Sequence, residues 1–242
     1  MTIGFSVSPI DAVKILLQVL PAKRMRDVVE RRFGLKGRDK ATLEEIGGAY
    51  KITRERVRQI EADAMRRIRE RDHEEVRPLL VTLESAVQEH GGVMADYHLL
   101  SHVAPARFHP HLQFLLHTHP RFVYMPDDES FHPRWTSDTA AAAEVAQAMT
   151  RVVKRLDGSG ATVTEADLHA YLSAEMNVPE KATLSSQVLD AYLQTTKLIK
   201  QNPYGEYGLV AWPTVCPRGI KDKAYAAVLK AGKPMHFREV AQ

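Results

Sequence analysis

The 242-residue chain has little cysteine and little aromatic surface: one cysteine, Cys216, two tryptophans, and Phe, Trp or Tyr at 7% of positions. A single thiol excludes an internal disulfide and a cysteine-cluster zinc site, so a reducing cytoplasm is the expected compartment. Long apolar runs are missing too. Ile10 to Leu20 is interrupted by Asp11, Lys14 and Gln18, which excludes a signal-peptide core, and no run reaches the length of a membrane span. Phosphate-loop and dinucleotide glycine patterns do not occur, nor does a serine nucleophile elbow. The expectation is a protein without enzymatic activity, cofactor, small-molecule substrate or membrane contact.

Six histidines crowd one stretch, at positions 98, 102, 109, 111, 117 and 119. In extended backbone the 109/111 and 117/119 pairs would point to opposite faces, and the helical pair His98/His102 has no third ligand in register, so solvated or capping roles are expected and no metal. Asp127-Asp128-Glu129 reads as a hairpin turn, where acidic side chains serve the backbone.

Charge is unevenly divided. Residues 1–80 carry 18 Lys or Arg against 13 Asp or Glu, a net +5, whereas residues 81–242 carry 15 against 17, a net −2. A basic first third points to a polyanionic partner. Much of the excess lies in "KITRERVRQIEADAMRRIRERD" (51–72), which has eight Lys or Arg against five Asp or Glu and neither Gly nor Pro.

The first third reads as a run of helices. Ser8-Pro9 supplies an N-cap and a first-turn proline ahead of Ile10, Val13, Leu16, Leu17 and Leu20 at helical spacing; Pro21 then opens a second helix through Val28, Val29 and Phe33, closed near Gly34. Thr42 with Glu45 forms a capping box for a short helix whose Leu43, Ile46 and Ala49 or Tyr50 face inward. Tyr50-Lys51-Ile52 allows only a sharp turn before Thr53 caps a helix with Val57, Ile60, Ala64 and Ile68 as its buried stripe. Two short helices joined this way make a helix-turn-helix. At 100° per residue, Arg54, Glu55, Arg58 and Gln59 then lie near the N-terminal end of the opposite face, the tip that enters a major groove. Arg suits guanine, Gln adenine and Glu the cytosine amino group, while Arg66, Arg67 and Arg69 are better placed for phosphate or partner contacts.

"LP" at 20–21, "RRFGL" at 31–35, "TLEEIG" at 42–47 and "ITRERVRQIEADAMRRIR" at 52–69 resemble, in order and spacing, region 4 of housekeeping-class sigma-70 family bacterial sigma factors. The resemblance covers roughly residues 9–80. It implies a domain that reads the minus-35 promoter element in double-stranded DNA and packs on the beta flap of core RNA polymerase. It also implies base reading by Arg54, Glu55, Arg58 and Gln59 and phosphate contacts from Thr53, Lys51, Arg56 and Arg24. The aromatic-rich domain that opens promoters in such factors has no counterpart here, so a DNA-reading end without that partner domain is expected.

The remainder repeats itself weakly. "TLESAVQEHGGVMADYHLL" (82–100), "AMTRVVKRLDGSGATVTEADLHAYL" (148–172) and "DKAYAAVLKAGKPMHFREVAQ" (222–242) each run from apolar helix through a Gly-containing turn and extended residues to a second helix start. Hairpin-like stretches follow the first two, "RFVYMPDDESFHPRW" and "KLIKQNPYGEYGLVAW", ending at Trp135 and Trp212. That order is the winged-helix plan. The third copy resembles the start of the HARE-HTH winged helix of the RNA polymerase delta subunit, with Ala224, Val228, Leu229, Gly232, Pro234, Phe237 and Val240 at the family's positions.

The predicted fold class is mainly α, a helix-turn-helix domain followed by tandem winged-helix (α+β) domains with small β-hairpin wings. The expected domains are 1–80, 81–137, 138–215 and an incomplete 216–242. The slightly acidic balance of residues 81–242 favours the winged helices as spacers or protein-contact modules over direct DNA readers. Two functions stay open: a promoter-reading transcription regulator, or a polymerase accessory subunit or decoy with little sequence-specific DNA binding. A targeting arm for a nuclease is a third.

Overall fold

The computed structural model describes residues 5–37, 39–71, 73–176 and 184–233. Eleven α-helices and five short strands are found among them, a mainly α architecture with small β wings.

Local chemistry sets the first four helices. The Ser8 hydroxyl accepts from the Ile10 amide at 3.3 Å, opening α1 (Pro9–Gln18). The second helix, α2 (Lys23–Phe33), starts two residues later than the proline suggests, because Ala22 is extended and acts as N-cap without a side-chain acceptor. It ends at Gly34, whose φ of 67° is the left-handed conformation that glycine adopts without Cβ strain. Thr42 forms the capping box of α3 (Leu43–Tyr50): its amide donates to Glu45 Oε2 at 2.6 Å and its hydroxyl accepts from the Glu45 amide at 3.2 Å. Thr53 caps α4 (Arg54–Arg69) by accepting from the Arg56 amide. Val28, Ile46 and Val57, all with no exposed surface, join α2, α3 and α4 in one core. Burial of each contributes about 1.5–3 kcal/mol. Of the two inward candidates at the end of α3, Tyr50 packs on this core and Ala49 is exposed.

Next come α5 (Arg77–Glu89), strand β1 (Val93–Ala95), α6 (Asp96–Val103), a 3-10 turn (Ala106–Phe108), α7 (His109–Thr118), β2 (Val123–Met125) and β3 (Arg134–Thr136). The three strands form a sheet in the order β1-β3-β2. The second repeat follows the same plan. It runs α8 (Thr139–Ser159), α9 (Glu165–Glu175), α10 (Ser186–Leu193), then β4 (Ile199–Gln201) paired antiparallel with β5 (Tyr207–Leu209), Lys200 opposite Gly208. Val163 takes the place of β1: it exchanges two backbone hydrogen bonds with Tyr207, at 2.8 and 2.9 Å. A last helix, α11 (Ile220–Ala231), ends at a left-handed Gly232. Pro234, Phe237 and Val240 of the third repeat lie outside the described residues.

Contacts group the chain into two units that do not follow the sequence modules one to one. The first runs to Gly92 and adds Asp96–Tyr124 and Trp135–Asp138; the second takes Val93–Ala95, Met125–Arg134 and the chain from Thr139. In the first unit α7 packs on α1, α2 and α4. In the second, α8, α9 and α10 close on Val152, Leu156, Leu168, Leu172, Leu189 and Tyr192. Its Gly208 lies against Trp212: a Cβ there would come within 2.8 Å of the indole Cε3.

Candidate nucleic-acid interface

The α3–α4 turn depends on one close approach. A Cβ on Gly47 would stand 2.7 Å from the Ile52 carbonyl oxygen, and the Ile52 amide donates to the Gly47 carbonyl at 3.0 Å. Only a residue without a side chain lets the turn fold back this tightly. Lys51 ends α3 at φ 53°, the one non-glycine residue with positive φ among the described residues. Gly47 was not singled out by motif reasoning, although the Gly47-Gly48 pair inside a capped eight-residue helix is a visible signal of backbone contact.

With α4 so placed, Val57, Ala64 and Ile68 are buried and Arg54, Glu55, Arg58 and Gln59 are exposed on the other side. Three of the exposed four, Glu55, Arg58 and Gln59, are bonded to one another or to their neighbour Arg56. Arg58 donates Nε and Nη2 to the two oxygens of Glu55 at 2.8 and 2.7 Å, and Arg56 Nη1 donates to Gln59 Oε1 at 3.0 Å. The hydrogen bond from Arg58 holds the Glu55 carboxyl below the usual carboxylate range and raises the guanidinium in return. Both groups face solvent, so the pair is weak and readily exchanged for another partner.

The remaining cations divide by what they touch. Arg24 lies over the Tyr50 ring, 4.6 Å from its centroid, and the Tyr50 hydroxyl donates to Asp27 at 2.7 Å. Partial burial opposes ionisation of Asp27, but bonds from Tyr50 and Arg31 outweigh it and leave that carboxyl below its ordinary value. Arg66 pairs with Asp63 and Glu70, and Arg67 with Asp63. Arg69, on the exposed surface, reaches across to α7 and donates Nε and Nη2 to the His117 carbonyl at 3.2 and 2.6 Å. A cleft of about 360 Å³ at the start of α3 is lined by Arg32, Thr42, Leu43, Glu44 and Arg54.

The clustered histidines are built into the packing. His109 Nε2 bonds the Ala104 carbonyl, the His102 ring meets His90 edge-on at 4.6 Å, and His117 sits among Phe33, Tyr124 and Trp135. A different group, Glu165, His169 and Asp190, brings an imidazole and two carboxylates within 4.8 Å. Internal bonds account for it: His169 Nε2 to Asp190 at 2.8 Å, and the Tyr207 hydroxyl donating to Glu165 at 3.3 Å.

Comparison with known proteins falls on this same region. The family described as Sigma-70, region 4 matches residues 16–70, from the end of α1 through α4. RNA polymerase sigma factor SigA of Nostoc sp. (strain PCC 7120 / SAG 25.82 / UTEX 2576) is 49% identical over 59 residues, 24% of this chain and 15% of that protein. The chain thus spans a small fraction of that relative's length. Residues 16–70, which hold the helix-turn-helix and the exposed face of α4, are similar to region 4 of the sigma-70 family.

Proposed function

We propose that this protein binds double-stranded promoter DNA through α4, in the bacterial cytoplasm, as a regulator that works alongside RNA polymerase. The observation that carries the reading is the exposure of Arg54, Glu55, Arg58 and Gln59 at the N-terminal end of α4, across from its buried stripe and inside the stretch similar to sigma region 4. In the major groove these side chains present paired donors for guanine, an amide for adenine and an acceptor for cytosine. Thr53, Lys51 and Arg56 stand at or beside that end and Arg24 lies over Tyr50 at the end of α3; these four are the proposed phosphate contacts, which fix register without reading sequence. No catalytic step is part of this reading. Polymerase contact, through the beta flap, is the companion proposal.

Selection of bound sites from random duplex DNA by the full chain tests the reading, at physiological salt, with and without core RNA polymerase. Enrichment of a common motif by the chain alone is the expected result. Enrichment only when polymerase is present would make the chain an accessory subunit whose helix acts once tethered, and no enrichment in either arm would sink DNA reading. Arg58→Ala should weaken the selected site by roughly 5- to 150-fold and relax preference at one base pair. Equal losses on every duplex would remove Arg58 from base reading.

A further inference from the structure

In the winged-helix plan the third helix is the element that a DNA-binding member lays in the groove. In the first repeat that helix is α7, "HPHLQFLLHT", and it contains no Lys or Arg. It is also enclosed. His111, Leu112, Phe114, Leu115, Leu116 and Thr118 are buried, so it shows no polar face of useful width. The helix-turn-helix module supplies part of that enclosure, since α1, α2 and α4 all pack on α7, as do α5 and α6 of its own repeat.

Three kinds of contact hold the two together. Phe33 of α2 meets Phe114 edge-on at 5.1 Å and His117 at 5.4 Å. A polar relay crosses beside it: Lys40 donates to Gln113 Oε1 at 2.6 Å, Gln113 donates to one oxygen of Asp96 at 2.6 Å, and the buried Trp135 indole donates to the other at 2.7 Å. At the far end of α4, Arg69 satisfies the His117 carbonyl, one of the last carbonyls of α7, which have no partner within the helix itself. The consequence for the surface is plain. No large apolar side chain between residues 5 and 71 is exposed among the described residues, whereas Val81, Tyr97, Val123 and Tyr124 of the repeat are.

We propose that the first winged-helix repeat is a built-in clamp for the reading helix and not a second reader of DNA. Its third helix is committed to packing, and Arg69 is a positioning residue that fixes the C-terminal end of α4 so that its N-terminal tetrad is held in one orientation. The DNA-reading body is then the whole first unit, and residues 1–80 are only the part of it that touches DNA. The DNA arm of this inference rests on the function proposed above; the clamp itself does not.

Amide hydrogen exchange on the DNA-free full chain, as wild type, Arg69→Ala and Phe114→Ala, tests the clamp without DNA. Protection should fall together in the last turns of α4 and in α7. Loss confined to one helix, or no loss in either variant, overturns the clamp. Salt dependence then tests Arg69 on the selected duplex. Arg69→Ala should lower affinity about tenfold on every sequence while leaving the slope of log affinity against log salt unchanged, since no phosphate contact is lost. A slope smaller by about one would make Arg69 a phosphate contact and overturn its positioning role. Unchanged affinity overturns it as well. Coupled loss of protection in the variants, together with a wild-type chain that selects no duplex, would sink the DNA reading and leave the clamp standing.

Discussion

α4 and α7 are each the last helix of a helix-turn-helix arrangement, and they carry opposite surfaces. α4 has six arginines and one buried stripe; α7 has no Lys or Arg and is buried nearly all round. The corresponding helix of the second repeat, α10, also lacks Lys and Arg and carries Asp190 on its polar side. The lesson is that the plan of three helices and a wing says where a groove-binding helix would stand, and the side chains decide whether it can act there. A cationic face costs little to hold in water and gains from phosphates. An apolar helix in the same station gains only by being covered.

The largest effect that can break this comparison comes from acid. Burial, with Lys40 and Arg69 nearby, pushes the His117 imidazole down to about 4. A proton therefore binds the unfolded chain first. The neutral buried ring contributes its full stability above the ordinary histidine value of about 6.5 and loses it as pH falls toward 4, a loss of about 3 kcal/mol. His102, His111, His119 and His132 are lowered by burial too, so wild type must be set against His117→Gln. Denaturant unfolding between pH 7 and 4 should show the shallower decline in the variant. Identical declines would mean that α7 is not enclosed as described.

A smaller effect sharpens the α4 side. Gly47→Ala places a methyl carbon 2.7 Å from a backbone oxygen, and backbone yields less readily than a side-chain tip. Overpacking of this kind costs about 1–3 kcal/mol. Thermal unfolding should record the loss, and DNA affinity should fall with it because the turn sets the angle of α4. Gly48→Ala, where a Cβ meets nothing within 4 Å, is the matched control and should be neutral or slightly stabilising.

Much of the helix-turn-helix was legible because its determinants are local. Ser8, Thr42 and Thr53 cap as their spacing predicts, Gly34 ends α2, and Val57, Ala64 and Ile68 form the buried stripe, with the fourth expected member, Ile60, only partly buried. The start of α2 was misread because a proline allows a helix start without compelling one, and Ala22 stays extended. The roles of Arg69, Lys40 and His117 were out of reach for another reason. Their partners stand 48, 73 and 84 residues away, at His117, Gln113 and Phe33, and no periodicity within a helix encodes such a pairing. The signal that did exist was the apolar density of "HLQFLLHT", which says that α7 is covered without saying by what.

The finest test compares two caps of equal chemistry. Thr42 and Thr164 each accept from the amide three residues on, at 3.2 and 3.1 Å, and each meets the carboxylate of that residue, Glu45 or Asp167. Removing either hydroxyl by substitution to Ala should cost about 1 kcal/mol of stability. The caps differ in what they serve: Thr42 opens α3, which positions the turn into α4, whereas Thr164 opens α9 of the second repeat. Matched losses in unfolding should therefore accompany unmatched losses in DNA binding, with Thr42→Ala weakening the selected site and Thr164→Ala leaving it unchanged. If Thr164→Ala weakened DNA binding as much, the second repeat would have to touch DNA or hold the first unit in place, and the division of labour between α4 and the repeats would be wrong.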